Sequence, residues 1–194
     1  TIEKVSSKPT NAMEYARNPL TYYREGDDFN SLYAYRYKET INGYPIYLDE
    51  NGNPNTTFDA NGVPTIKEFK NEDALVNLGT MNPTFNGALN LQLRYKVFEL
   101  STMFVYAGGH KLRKDTYSIN QESETHRDIT QRWTPTHPTD MPRMSFDYPA
   151  ALRRTANTVN TFWQLGDNHV VNADYLKWRN VVFACYIPKD ICKK

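Results

Sequence analysis

Two cysteines, Cys185 and Cys192, are all that the 194 residues contain. That is too few for a disulfide framework, and without a CxxC spacing they do not suit zinc or redox work, so they read as incidental. The longest apolar run, VVFACYI at 181–187, falls far short of the roughly 18 residues a membrane helix needs, which excludes a helical membrane protein. An excess of one charge is missing too. Lys and Arg number 23 against 22 Asp and Glu, the net charge is +1, and the cations are scattered. Nucleic acid is set aside as a partner, because the basic stripe it would need is absent. There is no Gly-rich phosphate loop and no GxSxG elbow. The four histidines, His110, His126, His137 and His169, show no paired-ligand spacing; two of the many loop carboxylates could meet as a glycosidase pair, but a sequence carries no separation by which to pair them. The sequence therefore offers no catalytic residue, no metal site and no cofactor. Residue 1 is Thr and no signal-peptide pattern follows it, so we expect a piece of a longer polypeptide.

Aromatic residues, in contrast, are plentiful: fourteen Tyr help raise them to 13% of the chain. Such a composition suits β-structure, or a surface facing sugar or membrane, better than a helical bundle. The length allows one domain with a real core. In ALNLQLRYKVFELSTMFVY (88–106) apolar and polar residues alternate, break once, and alternate again. A period of two puts Leu89, Leu91, Leu93 and Tyr95 on one face of a strand and Asn90, Gln92 and Arg94 on the other. If Lys96-Val97 is a tight turn, Tyr95 meets Phe98, Leu93 meets Leu100, Leu91 meets Thr102 and Leu89 meets Phe104. The same register sets Arg94 against Glu99 and Gln92 against Ser101, so opposite charges face each other. Lys-Val is a poor turn sequence, and a four-residue loop would preserve the same pairing.

Elsewhere the chain is less regular. The first thirty residues read as loop or frayed strand. In FNSLYAYRYK (29–38) Tyr33, Tyr35 and Tyr37 share a strand face, with Leu32, Ala34 and Arg36 opposite. DENGNP (49–54) and DANGVP (59–64) repeat one D-x-N-G-x-P pattern. Each reads as a turn, since Asn-Gly accepts positive φ and the Pro resists continued pairing. A calcium loop lacks its twelve-residue pattern and acidic last position. Asn55 with Thr57 matches a glycosylation acceptor, a short match read as accidental. Residues 108–173 form a very long loop that must be functional, self-packed or covered. Within it Pro149 starts a possible helix to 165, with Leu152, Ala156 and Val159 on one face. In DYLKWRNVVFACYI (174–187) the alternation of Leu176 and Trp178 with Lys177 and Arg179 changes phase near Asn180, which predicts a bulge. Pro188 ends that strand and KDICKK follows as a basic turn.

Four segments, in order over most of the chain, resemble the SusC/RagA-type TonB-dependent outer-membrane transporters. LGTMNPTFNGALNLQLRYKVFELSTMFVYAGGHK (78–111) is similar to that family's Gly-x-x-x-Pro entry, its Y-K-x-F-x-L-S hairpin and its strand ending in Gly-Gly. REGDDFNSLYAYRYKE (24–39) resembles its EG-x-x-x-S-x-Y-x-Y-x-Y strand. RWTPTHPTDMPR (132–143) resembles its RWTPENP-x-x-x-PR loop, and ADYLKWRNVVFACYIPK (173–189) its ASYLRLRNITLGYxLPK strand. Ala88 departs from the pattern where a second Gly is usual, and so does Cys185 in a strand normally free of Cys.

The resemblance implies an all-β fold: antiparallel strands at about 29–38, 85–95, 98–107 and 174–187, late in a large transmembrane barrel. The plug domain and final strands would lie outside this chain. Lys96-Val97 and KDICKK would be periplasmic, and 40–84 and 108–173 extracellular loops. Leu89, Leu91, Leu93, Tyr95, Phe98, Leu100 and Phe104 would face lipid, and Asn90, Gln92, Arg94, Glu99 and Ser101 the lumen. Aromatics fall where girdles belong, with Tyr106 beside Phe104 at the loop end. The implied partners are a SusD-like surface lipoprotein, the TonB complex through the missing N-terminal part, outer-membrane lipid, and an oligosaccharide or peptide substrate. Arg132, Trp133, Arg143, Tyr148, Trp163 and Asp167 are candidate loop contacts, since rings stack on sugars and Arg grips carboxylates, though pinning a long loop is the favoured role for each. Periodicity alone allows another reading: a soluble β-sandwich binding glycan, with the leucines under a second sheet.

Overall fold

A computed structural model describes Glu3 and residues 24–69, 74–121 and 125–187. The segment KDICKK and most of the first thirty residues lie outside that set. The chain divides into two compact units, one of Thr1–Met81 with Lys111–Val171, the other of Asn82–His110 with Asn172–Lys194.

The first unit is built on an antiparallel sheet of order β2-β1-β5, with β1 at Ser31–Ile41, β2 at Tyr44–Leu48 and β5 at Leu75–Thr80. Asn42-Gly43, at φ 50° and 76°, turns β1 directly into β2 with Ile41 opposite Tyr44. Those positive angles are what an Asn-Gly hairpin turn requires. The partners of β1 are β2 and β5. Both of its faces are buried at the start: Leu32 and Ala34 are as enclosed as Tyr33 and Tyr35. The alternation read in 29–38 therefore marks aromatic against small residues rather than inside against outside.

The segments expected as loops are folded. β3 (Thr56–Phe58) and β4 (Pro64–Ile66) pair with each other, as do β8 (Lys111–Arg113) and β9 (Val170–Asn172). The two D-x-N-G-x-P repeats make the same turn twice. Asp49 Oδ1 accepts from the N–H groups of Asn51 and Asn53, and Asp59 Oδ1 from those of Asn61 and Val63. These carboxylate oxygens hold the backbone of their own turns. Pro54 and Pro64 do not end pairing; they lie opposite Leu48 and Phe58, each opening the return arm, where a missing N–H is tolerated. The helix expected in 149–165 is present as a 3-10 stretch at Ala150–Thr155 followed by α1 at Ala156–Leu165. Ala156, Val159, Phe162 and Trp163 form its buried face.

Aromatic rings make the core of this unit. Tyr33, Tyr35, Tyr47, Leu75 and Phe162 form one cluster; Tyr44, Tyr117, Ile119, Met144, Tyr148 and Trp163 belong to another, and Tyr37 packs against both. Tyr35 meets Phe162 edge-on at 4.7 Å, a favoured ring geometry. Burial pushes the Tyr47, Tyr117 and Tyr148 hydroxyls up, so they stay neutral. Arg113 is fastened among carbonyls: its Nη2 donates to Tyr33 O at 2.6 Å and its Nη1 to Gly166 O at 3.2 Å. Desolvation brings its pKa down to about 10.

The second unit is a three-stranded antiparallel sheet of order β10-β7-β6, each strand eleven residues long: β6 at Phe85–Tyr95, β7 at Phe98–Gly108 and β10 at Tyr175–Cys185. The register of β6 and β7 is the one expected: Tyr95 with Phe98, Leu93 with Leu100, Leu91 with Thr102, Leu89 with Phe104, Arg94 with Glu99. Lys96-Val97 is the turn, with Lys96 held at φ 51°. The register of β10 against β7 shifts between Trp178 and Asn180, at the predicted bulge. The described sheets are antiparallel, and none closes into a barrel.

Candidate functional site

The two faces of the β10-β7-β6 sheet carry the clearest functional signal. Partners across a register share a face, so the leucine side continues onto the third strand: Val181 pairs with Thr102, Phe183 with Leu100 and Trp178 with Phe104. Without the bulge, Trp178 and Val181 would point to opposite sides. Its extra residue re-phases β10 so that Leu176, Trp178, Val181 and Phe183 join Leu89, Leu91, Leu93 and Leu100. Phe104 stacks on Trp178 at 5.8 Å and Phe98 on Phe183 at 5.6 Å. This side is open: Leu93 is 64% exposed, Phe183 66% and Trp178 61%.

Thr102 is the one short hydroxyl in the middle of that face, and its hydrogen bonds close within the sheet. It donates to Asn180 O at 2.9 Å and accepts from Trp178 Nε1 at 2.5 Å. The bulge thus supplies both the phase change and an acceptor. These β10 residues were absent from the sequence-derived list of the apolar face; the phase change at Asn180 was the signal that could have placed them there.

The opposite face brings together Arg94, Glu99 and Gln92 at the turn end. Gln92 Nε2 donates to Glu99 Oε1. The Tyr186 hydroxyl also bonds to Glu99, and Arg94 lies 5.3 Å over the Tyr186 ring. Asn90 and Ser101 lie on the same side, opposite Met103 and Gln92. Toward the other end of the sheet, small residues are fitted under rings. A Cβ on Gly87 would collide with Tyr106, directly across, and one on Gly108 with Phe85, directly across in turn. Two reciprocal ring-over-glycine pairs therefore underlie the FNG…YAGG motif, a device that covers glycine within a sheet.

In the first unit the loop candidates separate. Trp133 and Arg143 come together: the Arg143 guanidinium lies 4.1 Å from the Trp133 ring centre and 4.8 Å from that of Tyr44. The Arg143 N–H donates to Gly43 O, so the RWTP…PR loop grips the β1–β2 turn. Gly43 has φ 76°, and a Cβ there would press on both Arg143 and Trp133. Arg132 is half-buried, and its Nε has no partner among the described residues. Trp163 is elsewhere, 2% exposed in the core, donating to Thr116 Oγ1. Tyr148 is buried, and Asp167 accepts from the Tyr37 N–H at 2.9 Å. Of the histidines, His126 caps the N–H of Asp128 and His169 packs edge-on against Trp163 at 4.4 Å.

No family profile matches this chain. It is 25% identical over 183 residues to TonB-dependent receptor P3 of Formosa agariphila, a match covering 88% of this chain and 16% of that protein. The similarity is distant and supports that receptor class only in general.

Proposed function

We propose that this chain is a late part of the wall of a SusC/RagA-type TonB-dependent importer in the bacterial outer membrane. β6, β7 and β10 cross the hydrocarbon layer with the leucine face in lipid and Asn90, Gln92, Arg94, Glu99 and Ser101 on the lumen. Eleven residues rising about 3.3 Å each, tilted by about 45°, span roughly 25 Å, the height of an outer-membrane apolar band. The observation that carries this reading is the pairing of an exposed apolar face with internal satisfaction of its Thr102 hydroxyl and Trp178 indole. In hydrocarbon no water is present to take those bonds, so they must close on protein. A water-facing surface would neither need them nor tolerate so broad an apolar patch.

In this assignment Lys96-Val97 is the short periplasmic turn and the first unit, inserted where the hairpin strands end away from it, is extracellular. The rest of the barrel closes the open sheet edges, which alone would invite foreign pairing. A SusD-like lipoprotein acts as lid, TonB engages the parent's N-terminal part, and an oligosaccharide or peptide is the cargo. The soluble-sandwich reading is not favoured, because the leucines lie exposed. The test is fractionation of the full-length product: it should stay with membranes until detergent is added. Leu91→Arg should then cost roughly 2–4 kcal/mol at the bilayer midplane. A product found free in the aqueous fraction, with the leucines packed under protein, would overturn the proposal.

A further inference from the structure

The bulge in β10 decides which way Arg179 faces. The Tyr186 N–H donates to Val97 O, so the odd-numbered residues from Val97 onward turn their backbone groups toward β10. The ladder pairs Trp178 with Phe104 and Asn180 with Met103, and it skips Arg179. The doubled position therefore lies opposite Met103, and both of its members, Arg179 and Asn180, take the Met103 side. Met103 pairs with Asn90 on β6, which puts this group on the face away from the leucines. Lys177, opposite Val105, is on that face too.

Depth makes this arginine informative. Met103 is the sixth of the eleven residues of β7, so Arg179 lies halfway along the span. An ionisable side chain at that depth faces a water-filled interior and calls for a partner of opposite charge. The sheet does not supply one. Glu99 is the carboxylate on this face of the described strands; it lies four residues along β7 from Met103, about 13 Å away. It is already bonded by Gln92 and Tyr186 beside Arg94. Salt screens exposed charges beyond about 8 Å, so Glu99 does not balance Arg179. Among the described residues neither Lys177 nor Arg179 forms an ion pair, and both are exposed. The amides of Asn90 and Asn180 beside them can donate to an oxyanion but bring no negative charge.

We infer that Lys177 and Arg179 form an anion-binding pair on the lumen wall, which takes the carboxylate or sulfate groups of an acidic cargo as it passes. This rests on the importer reading and deepens it by assigning the cargo's charge, whichever backbone carries that charge. The two cations follow one another along the strand about 7 Å apart, which suits a polyanion better than a single counter-ion. Both stay open to water, so each holds an anion weakly enough to release it.

The test uses the full-length protein in outer membranes, with Asn180→Cys as the reporter in a background free of other cysteines. It is labelled with a negatively and a positively charged methanethiosulfonate of similar size. Relative to a free thiol in solution, the negative reagent should be favoured about tenfold, and Lys177→Gln or Arg179→Gln should each cut that preference about threefold. About 1 M salt should abolish it. Triaspartate or a galacturonate trisaccharide at about 10 mM should slow the labelling, and trialanine and maltotriose should not. Asn90→Cys, on the same face across Met103, is a second reporter if the first variant does not assemble. Equal labelling by both reagents in membrane-held protein overturns the pair alone, since a carboxylate elsewhere in the parent then neutralises it. Labelling that neither acidic compound slows overturns it as well. A product free in the aqueous fraction, or membrane-held protein whose reporters react with neither reagent, refutes the importer reading and the acidic cargo with it.

Discussion

Trp178 on β10 and Thr102 on β7 are joined by a 2.5 Å hydrogen bond from indole N–H to hydroxyl, and the Thr102 hydroxyl in turn donates to the carbonyl of Asn180. Thr102→Val keeps the shape and deletes both bonds. On a lipid-facing wall the freed indole and carbonyl find no water, and the full-length protein in bilayers should lose about 1–2 kcal/mol in urea titrations. An unchanged midpoint would mean that this face is wet.

The three glycines at the upper end of the hairpin should differ in how badly they tolerate alanine. Gly109 combines φ 75° with a Cβ position blocked by Thr84, whereas Gly108 meets Phe85 and Asp174, and Gly87 meets only the Tyr106 ring. Unfolding of the three alanine variants should rank Gly109 worst, at about 2 kcal/mol or more, then Gly108, then Gly87. A Gly87 variant worse than the Gly109 one would show that ring displacement, not backbone strain, dominates.

Arg143 between Trp133 and Tyr44 should resist conservative exchange. Lysine keeps the charge but has no flat group to fill the slot. Both Arg143→Lys and Arg143→Ala should lower the first unit's stability, by about 1–2 kcal/mol, with lysine recovering less than half. Differential scanning of the two variants decides this. Full recovery by lysine would reduce the role to charge alone.

His169 predicts how the first unit answers acid. Burial against Trp163, with Arg113 and Lys114 near, pushes its pKa down to about 4. The unfolded chain, with an ordinary value near 6.5, binds the proton first. Its contribution is therefore complete above about pH 6.5 and lost as pH falls toward 4, on the order of 3 kcal/mol in all. His169→Gln should flatten that limb of the stability curve. Parallel limbs in parent and variant would assign acid sensitivity to other groups.

The second unit was legible because two constraints coincided. The leucine alternation and the Arg94–Glu99 and Gln92–Ser101 pairs demanded one register, and the phase change at Asn180 marked the bulge. The first unit was not, for a physical reason: β1 is enclosed on both sides, so aromatic alternation carried no inside–outside information. Its partner β5 begins more than thirty residues later, and nothing local announces such a pairing. The β1–β2 hairpin is different, since Asn42-Gly43 is the strongest short turn signal and is legible in the sequence even within the stretch expected as loop. Trp133 and Arg143 were selected as a motif, but only the fold reveals Tyr44 as the third layer of their stack.

Arg113 carries a consequence for ionic conditions. Its charge is balanced by the carbonyl dipoles of Tyr33, Gln164 and Gly166, and among the described residues no carboxylate pairs with it. Mobile salt weakens attraction between full charges far more than short contacts to fixed, enclosed dipoles. The strand, the helix end and the following turn that this guanidinium ties together should therefore hold equally well in brackish and in fresh surroundings.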